Sequence, residues 1–156
     1  MGISGKKGQF RLNPVYLGQR NVFRGISQVS VDAKGRMAIP ARYRDSLVER
    51  GDGKLVLTAD VGKNLMLFSL TDWETVEQRV MALPSMNKDS KRIQRLLVGF
   101  ATEMELDSAS RILIPSELRD YAGIEKKARF VGQGNRFEVW DEAAWQREMD
   151  DWDEQG

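Results

Sequence analysis

The segment DAKGRMAIPARYR, residues 32–44, indicates the fold of this chain because it returns 75 residues later as DSASRILIPSELR, residues 107–119. The two segments share an aspartate, an arginine four residues on, an Ile-Pro pair and a second arginine at the same spacing. Phe68 and Trp73 likewise have tryptophan counterparts 72 residues further along. Self-similarity at a nearly constant spacing predicts a duplicated structural unit.

The residue pattern of each copy predicts the same succession of elements: strand, turn, strand, short helix, hairpin and helix. In the first copy these are strands 26–32 and 36–39, a helix 40–50, a hairpin of 54–60 with 64–69, and a final helix. Pro40 suits the first helical turn because its missing N–H would have no intrahelical partner there. Thr71 followed by Glu74 predicts a capping box for the final helix. These patterns predict a mixed α+β fold.

The second copy repeats this pattern, with a helix over 115–122 that Gly123 is predicted to stop. Its hairpin turns near Gly134, and a last helix follows Asp141. Between the copies, the segment from Ser90 carries apolar residues at helical spacing, namely Ile93, Leu96, Leu97 and Phe100. We expect this connecting helix to pack against the core or against another subunit.

The composition narrows the possible functions. The chain has 156 residues, 41% hydrophobic and 30% charged, with no run of about 18 apolar residues, which predicts an ordinary soluble protein of the cytoplasm. It contains neither cysteine nor histidine, which excludes disulfides, thiolate or imidazole metal sites and the usual cysteine and histidine catalysts. Carboxylate, Ser-Lys or Mg²⁺-dependent chemistry remains open, but no pairing of residues indicates such a site. We expect no catalytic residue, no metal site and no cofactor, and the protein is not predicted to be an enzyme.

The charges are distributed unevenly along the chain although the formal net charge is only +1. Residues 1–22 hold four bases and no acid, and residues 23–50 hold six bases and three acids. Residues 107–156 hold seven bases and twelve acids. The pattern predicts a basic N-terminal pole of the kind that binds nucleic acid, and an acidic C-terminal pole.

The spacing Asp-x-x-x-Arg across a tight turn has a structural explanation in both copies. The carboxylate can accept hydrogen bonds from turn amides, and the arginine can pair with it from the following strand. This explanation assigns structural roles to Asp32, Asp107 and Arg111.

The first turn carries more charge than that explanation requires. Lys34, Gly35 and Arg36 are consecutive there, and Arg24 precedes the first strand. A β-ribbon fits the major groove of DNA, where arginine can bind guanine bidentately and lysine can contact phosphate. Solvated surface charge is the alternative explanation. The second turn has Ser-Ala-Ser instead, so that copy is predicted to be structural.

Three stretches resemble the MraZ family of bacterial transcriptional regulators, encoded at the head of the division and cell-wall gene cluster. They are FRGISQVSVDAKGRMAIPARYRDSL (23–47), NLMLFSLTDWE (64–74) and DSASRILIPSELRDYAGI (107–124), and the similarity extends over about residues 23–150. The resemblance implies tandem swapped-hairpin β-barrel domains of the SpoVT/AbrB type with short helices and a pseudo-twofold internal repeat. It also implies a nucleoid-associated, ring-like homo-oligomer that binds double-stranded DNA at repeated boxes in the promoter of its own cluster, with no membrane partner.

The same resemblance places the DNA-binding surface on the first repeat. The residues that carry over are Arg36, Lys34, Arg24 and Gly35, with Gly35 shaping the turn. Arg111 occupies the slot of Arg36 in the second repeat but lacks basic neighbours. The predicted segments are a flexible extension (1–22), a DNA-facing first SpoVT/AbrB-like repeat (23–85), a connecting helix (86–103), a second such repeat (104–152) and an acidic tail (153–156).

The N-terminal segment departs from the family pattern. Family members typically begin Met-Phe-Arg-Gly, whereas this chain has Val22 at that position behind 21 further residues. Our hypothesis is that the native start is Val22, translated as Met from a GTG codon. If the preceding segment is native, its four bases form an auxiliary DNA-binding arm.

Three other functions remain open at this point. One is an AbrB-type antitoxin, which usually has one repeat and a disordered toxin-binding tail. Another is a ring-forming protein-interaction scaffold whose basic turns contact acidic proteins. The third is a hydrolase that uses Asp32 or Asp107, although no convergent pair of acids supports it.

Overall fold

The computed structural model describes residues 22–155, so the predicted N-terminal extension and the auxiliary arm lie outside the described residues, apart from Val22. Each repeat contains strand, turn, strand, helix, hairpin and helix, which confirms the predicted succession of elements. The elements are β1 (Ile26–Ser30), β2 (Arg36–Ala38), α1 (Ala41–Arg50), β3 (Leu55–Ala59), β4 (Leu65–Ser69), α2 (Leu70–Met81), α3 (Lys88–Leu97), β5 (Thr102–Met104), β6 (Arg111–Leu113), α4 (Ser116–Ala122), β7 (Lys127–Gly132), β8 (Phe137–Asp141) and α5 (Glu142–Gln155).

The strands within residues 22–155 form one six-stranded sheet, in the order β1-β7-β8-β4-β3-β5, and one two-stranded ribbon of β2 with β6. Every pair is antiparallel. The described strands leave β1 and β5 at the two edges of the large sheet, so hydrogen bonding among them does not close it into a barrel. The architecture is mixed α+β, as predicted.

The two repeats are interdigitated. The first strand of each repeat pairs with the third strand of the other, as β1 with β7 and β5 with β3. Like strands also pair across the repeats, as β2 with β6 and β4 with β8. By contrast, β1 and β2 are joined by the turn at 32–36 and by the single bridge between Val31 and Met37, so they form no extended ladder with each other. Neither repeat completes its sheet without the other.

Two apolar cores cover the two faces of the central strands. In β3, Leu55 and Leu57 face the larger core and Val56 faces the smaller one, as the alternation of a strand requires. Helices α2 and α3 cover the smaller core. On the opposite face, the ribbon packs against the larger core through four side chains that are each at most 1% exposed, namely Met37, Ile39, Ile112 and Ile114. Burying a side chain of this size contributes about 1.5–3 kcal/mol to the stability of the fold, so these residues fix the ribbon to the core.

The start of α2 differs from the prediction. Ser69, and not Thr71, is the N-cap, because its hydroxyl oxygen accepts a hydrogen bond from the amide of Asp72 at 3.2 Å. The same hydroxyl donates to the Asp72 carboxylate at 3.1 Å. The helix therefore follows β4 directly, and the predicted capping box of Thr71 with Glu74 is wrong.

The other predicted helix boundaries are close to those observed. Pro40 lies at the N-cap of α1, one residue before the predicted position. Gly123 follows α4 in the left-handed conformation, with φ 65°, which confirms it as the stop signal. The connecting helix α3 buries Leu97 in the smaller core, with Ile93 packed against that core, which confirms its packing role. Within residues 22–155, no helix has the length and apolar character needed to cross a bilayer.

Candidate nucleic-acid interface

The turn between β1 and β2 is organised around the carboxylate of Asp32. Its Oδ1 atom accepts the amide N–H of Lys34 at 3.0 Å and that of Arg36 at 2.8 Å. Its Oδ2 atom accepts the side-chain Nε–H of Arg36 at 2.7 Å. The backbone closes the same turn through hydrogen bonds from Gly35 N to Asp32 O and from Asp32 N to Arg36 O. We name residues 32–36 the first tip.

The turn before β6 repeats this geometry with different side chains. Asp107 Oδ1 accepts the amide N–H groups of Ala109 at 2.8 Å and Arg111 at 2.9 Å. Its Oδ2 atom accepts the Nε–H of Arg111 at 3.0 Å. We name residues 107–111 the second tip. The duplicated motif thus builds the same turn twice, and only the first tip carries a lysine.

Both turn carboxylates are stabilised in their charged form. The hydrogen bond from the Arg36 amide, assisted by the Arg36 side chain and the Lys34 amide, lowers the pKa of Asp32 from 3.8 to about 2. The hydrogen bond from the Arg111 amide is the main cause that lowers the pKa of Asp107. Both aspartates are therefore ionised at neutral pH, and their negative charge offsets that of the paired arginines.

The ribbon of β2 and β6 exposes a flat face between the two tips. Arg36 pairs with Leu113 and Ala38 pairs with Arg111 across this ribbon, and paired residues project from the same face. Met37 and the residue opposite it project into the core instead. On the outward face, Leu113 is 56% exposed, and both arginine side chains are about one-third exposed. Each repeat therefore contributes one arginine to this face.

The presence of glycine at position 35 is explained by its positive φ and by a close contact with the second repeat. Its φ is +90°, a conformation that favours glycine. A Cβ atom at this position would lie 2.7 Å from Arg119 Nε and 2.9 Å from Arg119 Cζ, so the guanidinium lies directly against the turn backbone. Arg119 is held there by a hydrogen bond from its Nε–H to the carbonyl of Ile114 at 3.2 Å. The Ile114 amide in turn donates to Gly35 O at 2.8 Å.

Arg24 lies apart from the other residues predicted to bind DNA. It precedes β1, whereas Lys34 follows β1. Because an extended strand rises by about 3.3 Å per residue, the two residues are separated by on the order of 25 Å. The Arg24 carbonyl accepts the hydroxyl of Tyr43 at 2.5 Å. Beside it, Arg42 donates to the Ser27 hydroxyl at 2.8 Å. Within one chain, Lys34, Gly35 and Arg36 are brought together and Arg24 is not.

The cations at the first tip differ in how they are compensated. Arg36 pairs with Asp32 at 2.7 Å, and Arg111 approaches the same carboxylate at 3.8 Å. Among the described residues, neither Lys34 nor Arg119 has a carboxylate within 4.0 Å. Arg119 was not among the residues predicted for the site. The sequence marks Arg119 only as the repeat counterpart of Arg44. That spacing does not reveal which of the two tips Arg119 contacts.

The fold and this surface define a class: a tandem-repeat α+β protein that presents a basic turn on a short, anchored ribbon. A family model described as "MraZ protein, putative antitoxin-like" matches residues 22–96 and again residues 97–155. The chain belongs to the MraZ family. The double match confirms both the resemblance and the internal repeat that the sequence predicted.

Named relatives agree with this assignment. The transcriptional regulator MraZ of Thioalkalivibrio sulfidiphilus is 51% identical over 131 residues, which cover 84% of this chain and 87% of the relative. The MraZ regulator of Alkalilimnicola ehrlichii is 48% identical over 132 residues, covering 84% and 88% of the two chains. That of Pseudomonas fluorescens SBW25 is 48% identical over 125 residues, covering 80% and 83%.

Proposed function

We propose that this protein is a sequence-specific DNA-binding transcriptional regulator and not an enzyme. The observation that carries the proposal is the first tip, where a basic turn is fixed on a ribbon anchored in the core. Relatives at about half identity are named transcriptional regulators, which supports the same function. We place its action at the promoter of its own division and cell-wall gene cluster, through repeated boxes, in the cytoplasm and nucleoid.

The tip enters the major groove in this proposal. The groove is about 12 Å wide and admits a two-stranded ribbon. Lys34 is exposed and contacts phosphate as a point charge, while Arg36 contacts a base edge or the backbone. Because Asp32 fixes the Nε of Arg36, the guanidinium is oriented before DNA arrives, which reduces the conformational entropy lost on binding. Gly35 shapes the turn.

Arg24 has a separate role because it lies at the far end of β1. We assign it to phosphates outside the groove that the first tip of the same chain occupies. In an assembly, the Arg24 of one subunit can instead accompany the tip of a neighbour. Either placement adds affinity without adding sequence information, since phosphate contacts do not depend on the base.

Several tips must act together for useful affinity. Each phosphate that the protein neutralises changes the slope of the logarithm of the binding constant against the logarithm of the salt concentration by only about 0.9. A ring-like homo-oligomer would present one tip per subunit, and repeated promoter boxes would match that arrangement. The pairing of strands across the repeats supports swapped-hairpin repeats of the SpoVT/AbrB type. The bounds proposed for the repeats are 23–85 and 104–152. The linker is 86–103, whose last two residues begin β5. The extension 1–22 precedes the first repeat, and the tail 153–156 follows the second.

The deciding experiment is a footprint of the protein on the region upstream of its own gene, followed by binding measurements over a series of salt concentrations. We expect protected, regularly spaced boxes and a steep salt dependence. Lys34→Ala should weaken binding, whereas Lys91→Ala, which removes an exposed lysine from α3, should not. A wild-type protein that shows no protection and no salt-dependent duplex binding would contradict the proposal.

Two alternatives have distinct signatures. A toxin that co-purifies from the natural host and is neutralised by this protein would identify an antitoxin. Binding of acidic proteins through the first tip, without any duplex binding, would identify an interaction scaffold.

A further inference from the structure

We propose that the DNA-binding surface is composite, with Arg119 of the second repeat acting beside Lys34 at the first tip as a phosphate-binding residue. This inference rests on the proposed function and assigns to the second repeat a direct part in DNA binding. Its basis is the interdigitation of the repeats, which brings a residue of α4 to a turn that precedes β2.

The position of Arg119 is defined by its contacts with Ile114 and Gly35, which are themselves hydrogen-bonded to each other. Its Nε–H donates to Ile114 O at 3.2 Å, and the amide of Ile114 donates to Gly35 O at 2.8 Å. Its guanidinium carbon lies 2.9 Å from the point where a Cβ atom on Gly35 would be. The guanidinium group therefore packs against the turn that carries Lys34. A phosphate contacted by Lys34 lies within reach of a side chain of this length.

The charge of Arg119 is available for such a contact. Among the described residues it has no carboxylate within 4.0 Å, whereas Arg36 and Arg111 both approach Asp32. Its Nε atom is engaged by a neutral carbonyl, which leaves the full positive charge uncompensated. A guanidinium can also bind two phosphate oxygens through parallel N–H groups, which an ammonium cannot do. Lys34 and Arg119 thus supply the uncompensated positive charge of the first tip.

The second tip provides an internal comparison. Arg44 is the repeat counterpart of Arg119 and donates its Nε–H to Ile39 O at 2.7 Å. The Ile39 amide donates to Ser110 O at 3.1 Å, so Arg44 is related to the second tip as Arg119 is to the first. Ser110 has a Cβ where Gly35 has none, and no lysine stands beside it. Arg44 therefore lies beside a turn residue that carries a side chain, and it lacks the lysine neighbour that Arg119 has.

The test compares Arg119→Gln with Arg44→Gln in the full-length protein on its promoter duplex. Glutamine removes the charge but can still donate to the same carbonyl. We expect R119Q to lower affinity roughly three- to tenfold at about 0.1 M salt and to lower the salt slope by about one for each subunit bound. R44Q should leave both quantities unchanged. R119K should keep the slope and lose part of the affinity, because it retains the charge without the fork of donors.

The possible outcomes separate this inference from the function on which it rests. Equal binding by R119Q and R44Q, with a loss for Lys34→Ala, would overturn the composite surface and leave the regulator intact. No duplex binding by the wild type would overturn the function itself. Thermal unfolding and light scattering check that fold and assembly are unchanged. If R119Q does not fold, R119M retains the aliphatic stem and carries the same comparison.

Discussion

The Nη1 atom of Arg111 lies 3.8 Å from the Oδ2 atom of Asp32, so the turn aspartate of the first repeat is approached by an arginine of the second. The same oxygen accepts the Nε–H of Arg36 at 2.7 Å. Within residues 22–155, Asp107 by contrast pairs with Arg111 alone. The two turns are alike in their hydrogen bonds but unlike in their charge environment, and Asp32 links the two repeats across the ribbon.

Acid should weaken the fold through the two turn carboxylates. Their pKa values are lowered in the folded protein, that of Asp32 to about 2, so their stabilising effect is present above the ordinary value of 3.8. As the pH falls from 3.8 to about 2, Asp32 becomes protonated and this stabilisation is lost. Denaturation midpoints measured across that pH range should therefore decrease. Asp32→Asn should have a lower midpoint at pH 7 and a smaller decrease in acid. An unchanged pH profile in this variant would contradict the role assigned to Asp32.

Arg36→Ala and Arg111→Ala should have similar effects on folding and different effects on DNA binding. Each substitution removes an Nε–H donor to a turn aspartate, so both should lower the denaturation midpoint by comparable amounts. Arg36→Ala should also weaken promoter binding by at least about tenfold, or roughly 1.4 kcal/mol, because its contact with a base edge or with the DNA backbone is lost. Gel shifts at fixed salt, with the oligomeric state measured in parallel, test this. Equal losses of DNA binding would contradict the greater importance of the first tip.

Gly35→Ala should be more destabilising than a substitution that introduces backbone strain alone. The alanine would have to adopt a φ of +90°, which is unfavourable for a residue with a side chain, and its Cβ atom would lie 2.7 Å from Arg119 Nε. We expect a loss of about 1–3 kcal/mol in the free energy of unfolding, measured by chemical denaturation. Gly134→Ala is the matched control, since its φ is +78° but nothing lies within 4 Å of the new atom, and it should lose about 1 kcal/mol. Identical losses at the two glycines would mean that the Arg119 contact has no energetic importance.

Ser69→Ala should destabilise the fold by about 1 kcal/mol through loss of the N-cap of α2. The substitution removes the acceptor for the Asp72 amide at the junction with β4. Thr71→Ala is the control, because Thr71 lies inside the helix and makes no capping hydrogen bond among the described residues. Equilibrium unfolding in urea distinguishes the two, and a larger effect at Thr71 would restore the capping box first predicted.

The cap of α2 shows where local sequence patterns reach their limit. Both Ser69 with Asp72 and Thr71 with Glu74 match the spacing of a capping motif. The observed choice depends on where β4 ends, and β4 ends at Ser69, the last of its residues that pairs with β3. That boundary is set by contacts with residues far away in the sequence. A local pattern therefore predicted the helix but not its first residue.

The sequence by itself determined the duplication, because the motif at 32–44 visibly recurs at 107–119. It also determined the order of elements and the turn aspartates, because these depend on residues only a few positions apart. Asp32 and Arg36 are separated by four residues, and their hydrogen bonds form within a single turn. Only the tertiary structure decided which repeat supplies the neighbours of each tip. Arg119 lies 84 residues beyond Gly35, and its place at the first tip follows from the pairing of β2 with β6 and not from any local pattern. Pairing across the repeats buries strands that neither repeat could cover alone, and that burial places residues of both repeats on one surface.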